Sequence, residues 1–244
     1  MYQIEKKILD ACLEKYEKDL AAVLIFGSYN TGTFIQGVSD IDTIILFKPT
    51  TMNLKKERAE LLKTLSNIKI AVHHFRTLED YEKHIYSKGS WSSWITVICG
   101  SKIVHSTPEF TEFKRQLQKN PLQKNKLINY IKRKDEFDLQ EDLKKKTGWW
   151  ITKAIFAHIR RKLQILNFYS GNNLEFDYFK CLKNLTNLGK KEKLEKLNKD
   201  YDERRALNEK EIRDYLRIAK QLTPRVVSSI KNPSREYISN KHKL

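Results

Sequence analysis

Apolar positions in the first half of this chain follow two alternating rhythms. From Ile4 to Leu13 they fall at Ile4, Ile8, Leu9, Cys12 and Leu13, the stripe of an amphipathic helix. Ala21–Phe26 is instead an unbroken apolar run stopped by Gly27, which predicts a strand buried on both faces. A polar, glycine-punctuated turn leads to a second strand, Asp40 to Phe47, ended by Lys48-Pro49. Residues 54–65 return to helical spacing, Ile68–Phe75 predicts a third strand, and Ser101–Ser106 a short fourth one. Between the last two, Thr77-Leu78-Glu79-Asp80 matches a capping signature that opens a helix through about Tyr86. Helices alternating with strands indicate an α/β domain over residues 1–108.

Beyond Pro108 the strand rhythm stops. Segments near 109–118, 123–146, 149–169, 175–188, 190–206 and 208–222 have helical periodicity, separated by Asn120-Pro121, Gly148, Gly171-Asn172-Asn173, Gly189 and Asn208. Residues 109–244 therefore form an all-α helical bundle, with Trp149–Tyr169, apolar on most of its circumference, as its central helix. From Pro224 onward the chain is basic with little periodicity, the pattern of a loosely packed tail.

Charge divides along the same boundary. Residues 1–108 carry 14 Lys+Arg against 12 Asp+Glu, whereas residues 109–244 carry 33 against 18, so most of the net +17 lies in the helical half. Such a field attracts polyanions, RNA or a nucleoside triphosphate among them; lysine-rich helices also serve solubility alone. No run approaches the roughly 18 uncharged apolar residues of a membrane span, and the N-terminus mixes charge with apolar residues unlike a secretion signal, so a cytoplasmic location is expected. Cys12, Cys99 and Cys181 are far apart, without metal-ligand spacing, and are expected to be reduced and buried.

The chemistry is concentrated in residues 24–47, LIFGSYNTGTFIQGVSDIDTIILF. A Gly27-Ser28 turn ends one buried strand, and Asp40-Ile41-Asp42 opens the next. Side chains alternate along a strand, so Asp40 and Asp42 are expected on one face with Cα atoms about 6.6 Å apart and Ile41 turned to the core. Two carboxylates on one face repel unless a cation lies between them, and a hard divalent ion is the natural occupant. Gly27 allows close backbone approach, and Ser28 offers a hydroxyl and an N–H where anions are favoured. There is no GxxxxGK[ST] and no GxGxxG, so P-loop and dinucleotide-binding readings lack their central feature.

Gly27-Ser28, eleven intervening residues and Asp40-Ile41-Asp42-Thr43 resemble the signature of the nucleotidyltransferase superfamily related to DNA polymerase beta. The wider string GSYNTGTFIQGVSDID is similar to CCA-adding and oligoadenylate-synthase-like members. The helical second half is similar in architecture to the antibiotic nucleotidyltransferases. The resemblance covers residues 20–106 and implies an α/β (α+β) nucleotidyltransferase-like domain with a small mixed sheet, followed by the all-α bundle. It also implies Mg²⁺ or Mn²⁺ on Asp40 and Asp42, with ATP or another NTP held by Gly27 and Ser28 and flanked by Tyr29, Thr31 and Ser39. A nucleoside monophosphate would pass to a hydroxyl or phosphate of a small molecule, protein or RNA, the last through the basic C-terminal domain.

One departure matters. The family's third carboxylate stands on a later strand, and Ile68–Phe75 has no acid. His73 is the candidate substitute, because imidazole takes a proton near neutral pH or ligates a metal; set against this, a histidine pair at a strand end is more often structural or merely exposed. Glu79 and Asp80 are outside candidates whose place predicts a capping role. If nothing replaces the third acid, the chain is a catalytically weak nucleotide- or RNA-binding module; an antitoxin-like interaction protein is a third possibility, because minimal members occur in toxin–antitoxin pairs. Trp149, Trp150, Phe156, Phe168 and His158 are expected in the core, Arg160, Arg161 and Lys162 on a solvated face, and Trp91 and Trp94 are candidates to line the cleft.

Overall fold

The computed structural model describes residues 2–30, 32, 34–35, 37, 39–134, 139–185 and 188–234. They form two compact units, one from residues up to Ser87 with Ser93–Pro121, the other from Lys88–Ser92 with residues from Leu122 onward.

Up to Pro121 the elements are α1 (Tyr2–Tyr16), β1 (Leu20–Phe26), α2 (Gly27–Asn30), β2 (Ile41–Phe47), α3 (Leu54–Thr64), β3 (Ile70–Thr77), α4 (Leu78–Lys88), α5 (Trp91–Ile95, its first two residues in the second unit), a π-helical turn (Thr96–Gly100), β4 (Lys102–Ser106) and α6 (Pro108–Lys119). Four strands pair in the order β3-β2-β1-β4, with β2 and β3 parallel and the other pairs antiparallel, so the sheet is small and mixed. β1 lies inside the sheet and is buried along nearly its whole length, which is why its sequence is an unbroken apolar run.

The core on one sheet face joins Ile8, Cys12 and Tyr16 of α1 and Leu61 of α3 to Val23, Ile25, Ile41, Ile45 and Phe47. Each fully buried side chain of this size contributes about 1.5–3 kcal/mol. The Tyr16 ring meets Phe47 and Phe75 edge-on at 5.5 and 5.9 Å, and its hydroxyl donates to the Glu57 carbonyl. Thr77 ends β3 and accepts from the Asp80 N–H, as the capping signature requires. α5 and the π-helical turn carry no periodic signal long enough to predict. Trp94 is buried with its indole N–H on the Leu117 carbonyl, and Trp91 is buried against Phe168, so both serve packing and not a cleft.

The second unit contains α7 (Lys124–Arg133), α8 (Leu139–Lys145), α9 (Trp149–Tyr169), α10 (Tyr178–Asn184), α11 (Lys191–Asp202) and α12 (Glu209–Lys231). α9 is its central helix, as its all-round apolar sequence predicts. Four expectations need correction. α12 runs through Pro224 to Lys231 because Val226 and Ile230 continue its buried stripe, so residues 224–231 are no tail. Lys162 is 1% exposed, its ammonium donating to the Ala219 carbonyl and Thr223 Oγ1. Trp150 is 53% exposed, since the residue beside Trp149 turns about 100° away from the packed face. Cys99 is exposed, while Cys12 and Cys181 are buried. Among the described residues no helix is long and apolar enough to cross a membrane.

On the sheet face opposite the α1 core, His74 packs against Tyr81 and His84 with ring centroids 4.7 and 5.0 Å apart. Burial first, then the positive charge of His84, Arg76 and His73, pushes its pKa down to about 3. The unfolded chain takes up this proton below about pH 6.5 and the folded chain does not, so the stability is complete above that pH and is lost as pH falls toward 3. Urea midpoints measured at neutral and mildly acidic pH should fall with acidity in the wild type and fall less in His74→Phe; equal losses in both would remove His74 as the cause.

Candidate active site

The site is built where β1 ends. Phe26 pairs in register with Asp42, which on its other side pairs with Ala71, so Asp42 occupies the middle of three adjacent strands. The chain then turns at Gly27 with φ +69°, a conformation that favours glycine, and enters the single turn of α2. A Cβ on Gly27 would stand 2.1 Å from Asp42 Oδ2 and 3.0 Å from its Cγ. The Gly-Ser turn and the second acid of the DID sequence are thus in direct contact.

His73 reaches the same carboxylate through a defect in strand pairing. Thr43 pairs with Val72 and the next residue, Ile44, with His74, so His73 is an extra residue bulged out of the β2–β3 ladder. The bulge shifts the alternation of β3 by one, which lets Val72 and Phe75, three apart, both enter the core. His73 Nε2 lies 2.7 Å from Asp42 Oδ1, and the His73 ring is 5.2 Å from that of Phe26. An ionised carboxylate only accepts, so Nε2 carries the hydrogen and Nδ1 is the basic nitrogen of the neutral ring.

Asp40 immediately precedes β2. Its Oδ1 lies 3.2 Å from Lys69 Nζ, and the following Ile41 N–H donates to the Lys69 carbonyl. Ile41 enters the core as expected. The Asp40 and Asp42 side chains are 50% and 28% exposed, each facing a cationic or protonatable neighbour. Among the described residues no three His, Cys, Asp or Glu side chains are arranged to hold a metal ion by themselves. Two accessible carboxylates do fit an ion that takes its remaining oxygens from water and substrate phosphates, the usual habit of Mg²⁺.

The other predicted residues separate. Ser28 lies in the half-buried first turn of α2, next to Gly27. Tyr29 is 3% exposed, its ring against Phe34, because a one-turn helix must bury one side. Burial, then the charge and hydrogen bond of Glu5, raise the pKa of its hydroxyl. Ser39 closes its own loop, Oγ accepting from the Ile35 N–H and its N–H donating to the Ile35 carbonyl. Thr31 lies outside the described residues. Glu79 pairs with Lys83 in the first turn of α4, consistent with a helix-terminus role.

Sequence patterns missed the groups that hold α2 in place. Glu5 is a buried acid that receives Lys102 Nζ at 2.8 Å as well as the Tyr29 hydroxyl, and Asn30 Nδ2 donates to the Gly100 carbonyl. The signal for Glu5 was its place on the apolar side of α1, one residue after Ile4.

The sequence model described as "Nucleotidyltransferase domain" matches residues 5–165. The chain belongs to the nucleotidyltransferase domain family. A candidate protein adenylyltransferase of Methanocaldococcus jannaschii is 36% identical over 62 residues, 25% of this chain. The chain spans only 39% of that protein's length. The spectinomycin adenyltransferase of Enterococcus faecialis, solved with ATP and spectinomycin, is similar in fold at a TM-score of 0.53 and 12% identity, covering 92% of this chain and 98% of the other. The small mixed sheet followed by helices is therefore both the expectation from the sequence and the fold of this chain.

Gly27→Ala should cost about 2–4 kcal/mol, combining left-handed strain with the overlap on Asp42. Gly37 has φ +78° with open space where a Cβ would stand, so Gly37→Ala carries the strain alone and should cost less. Chemical denaturation checks the order, and equal losses would show that Gly27 does not abut Asp42.

Proposed function

We propose that this chain transfers a nucleoside monophosphate from ATP or another NTP to an acceptor hydroxyl or phosphate. The observation that carries the reading is the Asp42 carboxylate held between Gly27 and His73 in a nucleotidyltransferase signature. The Gly27 and Ser28 backbone binds the triphosphate, and Asp40 and Asp42 hold the divalent ion. When bound, Mg²⁺ or Mn²⁺ supplies neutralisation of charge on the phosphoryl oxygens. His73 fixes Asp42 through Nε2–H and takes the acceptor proton at Nδ1. The acceptor oxygen bonds to the α-phosphorus as the bond to the bridging oxygen breaks, and pyrophosphate leaves. Both relatives named above are adenylyl transferases by name, which favours ATP as donor. Small-molecule, protein and RNA hydroxyls are the acceptor classes.

A second reading rests on β3, where His73 stands in a strand without an acid. It makes the chain a nucleotide-binding module with little turnover. Pyrophosphate release with small-molecule, protein and RNA acceptors, measured beside ATP binding by calorimetry, separates the two. Under the enzyme reading Asp42→Asn lowers turnover at least about 100-fold, a loss of about 2.7 kcal/mol or more in transition-state stabilisation. Tight ATP binding with no turnover by the wild type for any acceptor class would favour the binding module.

His73→Gln keeps a donor for Asp42 and removes the base. Turnover should fall about 100-fold or more, while ATP affinity changes little. Unchanged turnover would mean that His73 only positions Asp42.

A further inference from the structure

One face of α9 in the second unit carries residues 149, 153, 156 and 160, spaced to lie along a single helix side. Along that side, and at its edge where Trp150 turns about 100° outward, aromatic rings and cations interleave. Trp150 and Trp149 are 5.0 Å apart, Trp149 stacks on Tyr201 of α11 at 6.0 Å, and Tyr201 stacks on Phe156 at 4.1 Å with planes 12° apart. Lys153 Nζ stands 5.5 and 5.0 Å from the two tryptophan rings, and Arg204 is 5.2 Å from Trp149. Farther along, the Arg160 guanidinium lies between Phe156 and Phe176, at 5.6 and 5.2 Å.

Packing accounts for the inner part of this strip, where Phe156 is buried and Arg160 lies between two rings, but not for its outer end. Trp150 is more than half exposed, with the Lys153 ammonium against its ring. Lys153 is exposed and, like Arg160, is held by ring faces and makes no described ion pair with a carboxylate. The acids beside it on α11 are engaged on their own helix, Asp202 accepting from Asn198 and Glu203 pairing with Lys199. The strip also belongs to the half of the chain that carries 33 Lys+Arg against 18 Asp+Glu.

We propose that the exposed end of this strip binds single-stranded RNA, Trp150 stacking on a base while Lys153 contacts the adjoining phosphate. A ring platform flanked by cations recognises the two faces of a single strand that a duplex hides, its bases and its closely spaced charges. The sequence suggested RNA from charge alone; the strip gives the interaction a place and a preference for unpaired bases. This binding is independent of the nucleotide site and of whether transfer occurs.

The test is fluorescence anisotropy of the full chain with a labelled single-stranded oligouridylate of about 16 nucleotides and no NTP, across about 50–200 mM salt. Saturable binding that weakens steeply with salt is expected. At fixed salt Trp150→Ala should weaken it about tenfold without changing the salt slope, because stacking releases no counterions. Lys153→Ala should lower the slope by roughly 0.7, and Lys119→Ala, in the other unit, should not. The proposal is overturned by absent binding, by equal affinity for a duplex of the same length, or by a Trp150→Ala variant that binds like wild type. Concentration-dependent self-association lost in Trp150→Ala, without RNA binding, would instead make the strip a protein interface.

Discussion

The Asp42 carboxylate sits at the meeting of three strands with a glycine turn on one side and an imidazole on the other. Everything about the candidate site depends on that crowding. The turn comes close enough only because Gly27 has no side chain and adopts positive φ. The imidazole reaches only because β3 carries one residue more than β2 at Val72–His74. A carboxylate so placed has one oxygen given to His73 and the other at the Gly27 turn.

The surrounding elements keep this arrangement rigid. Ile41 anchors the strand between the two acids in the α1 core. On the far side, Glu5, Lys102 and Tyr29 tie α2 to α1 and β4, so a one-turn helix too short to be stable alone is fixed by tertiary contacts. The parallel β2–β3 pair brings His73 alongside Asp42 although 31 residues separate them.

Much of the fold was legible because burial imposes periodicity. β1 announced itself as an apolar run between amphipathic helices, and α9 as a helix apolar on nearly all sides. The DID spacing fixed Ile41 inward and Asp42 outward for the same reason. What periodicity cannot carry is the exception to it. A bulge at His73 shows in the hydrophobic pattern only as a phase slip between Val72 and Phe75, which alone does not distinguish a bulge from a broken strand. The burial of Tyr29 was equally hidden, because a one-turn helix is too short to show which of its residues faces the core. Pro224 suggested an end to helix that the buried Val226 and Ile230 override.

A crystal structure with a non-hydrolysable ATP analogue and Mg²⁺ tests the central claim most directly. Phosphate oxygens on the Gly27 and Ser28 backbone, with the ion shared by Asp40, Asp42 and the triphosphate, is the expected result. A triphosphate bound away from that turn, with Asp42 still held by His73 and no ion beside it, would contradict it.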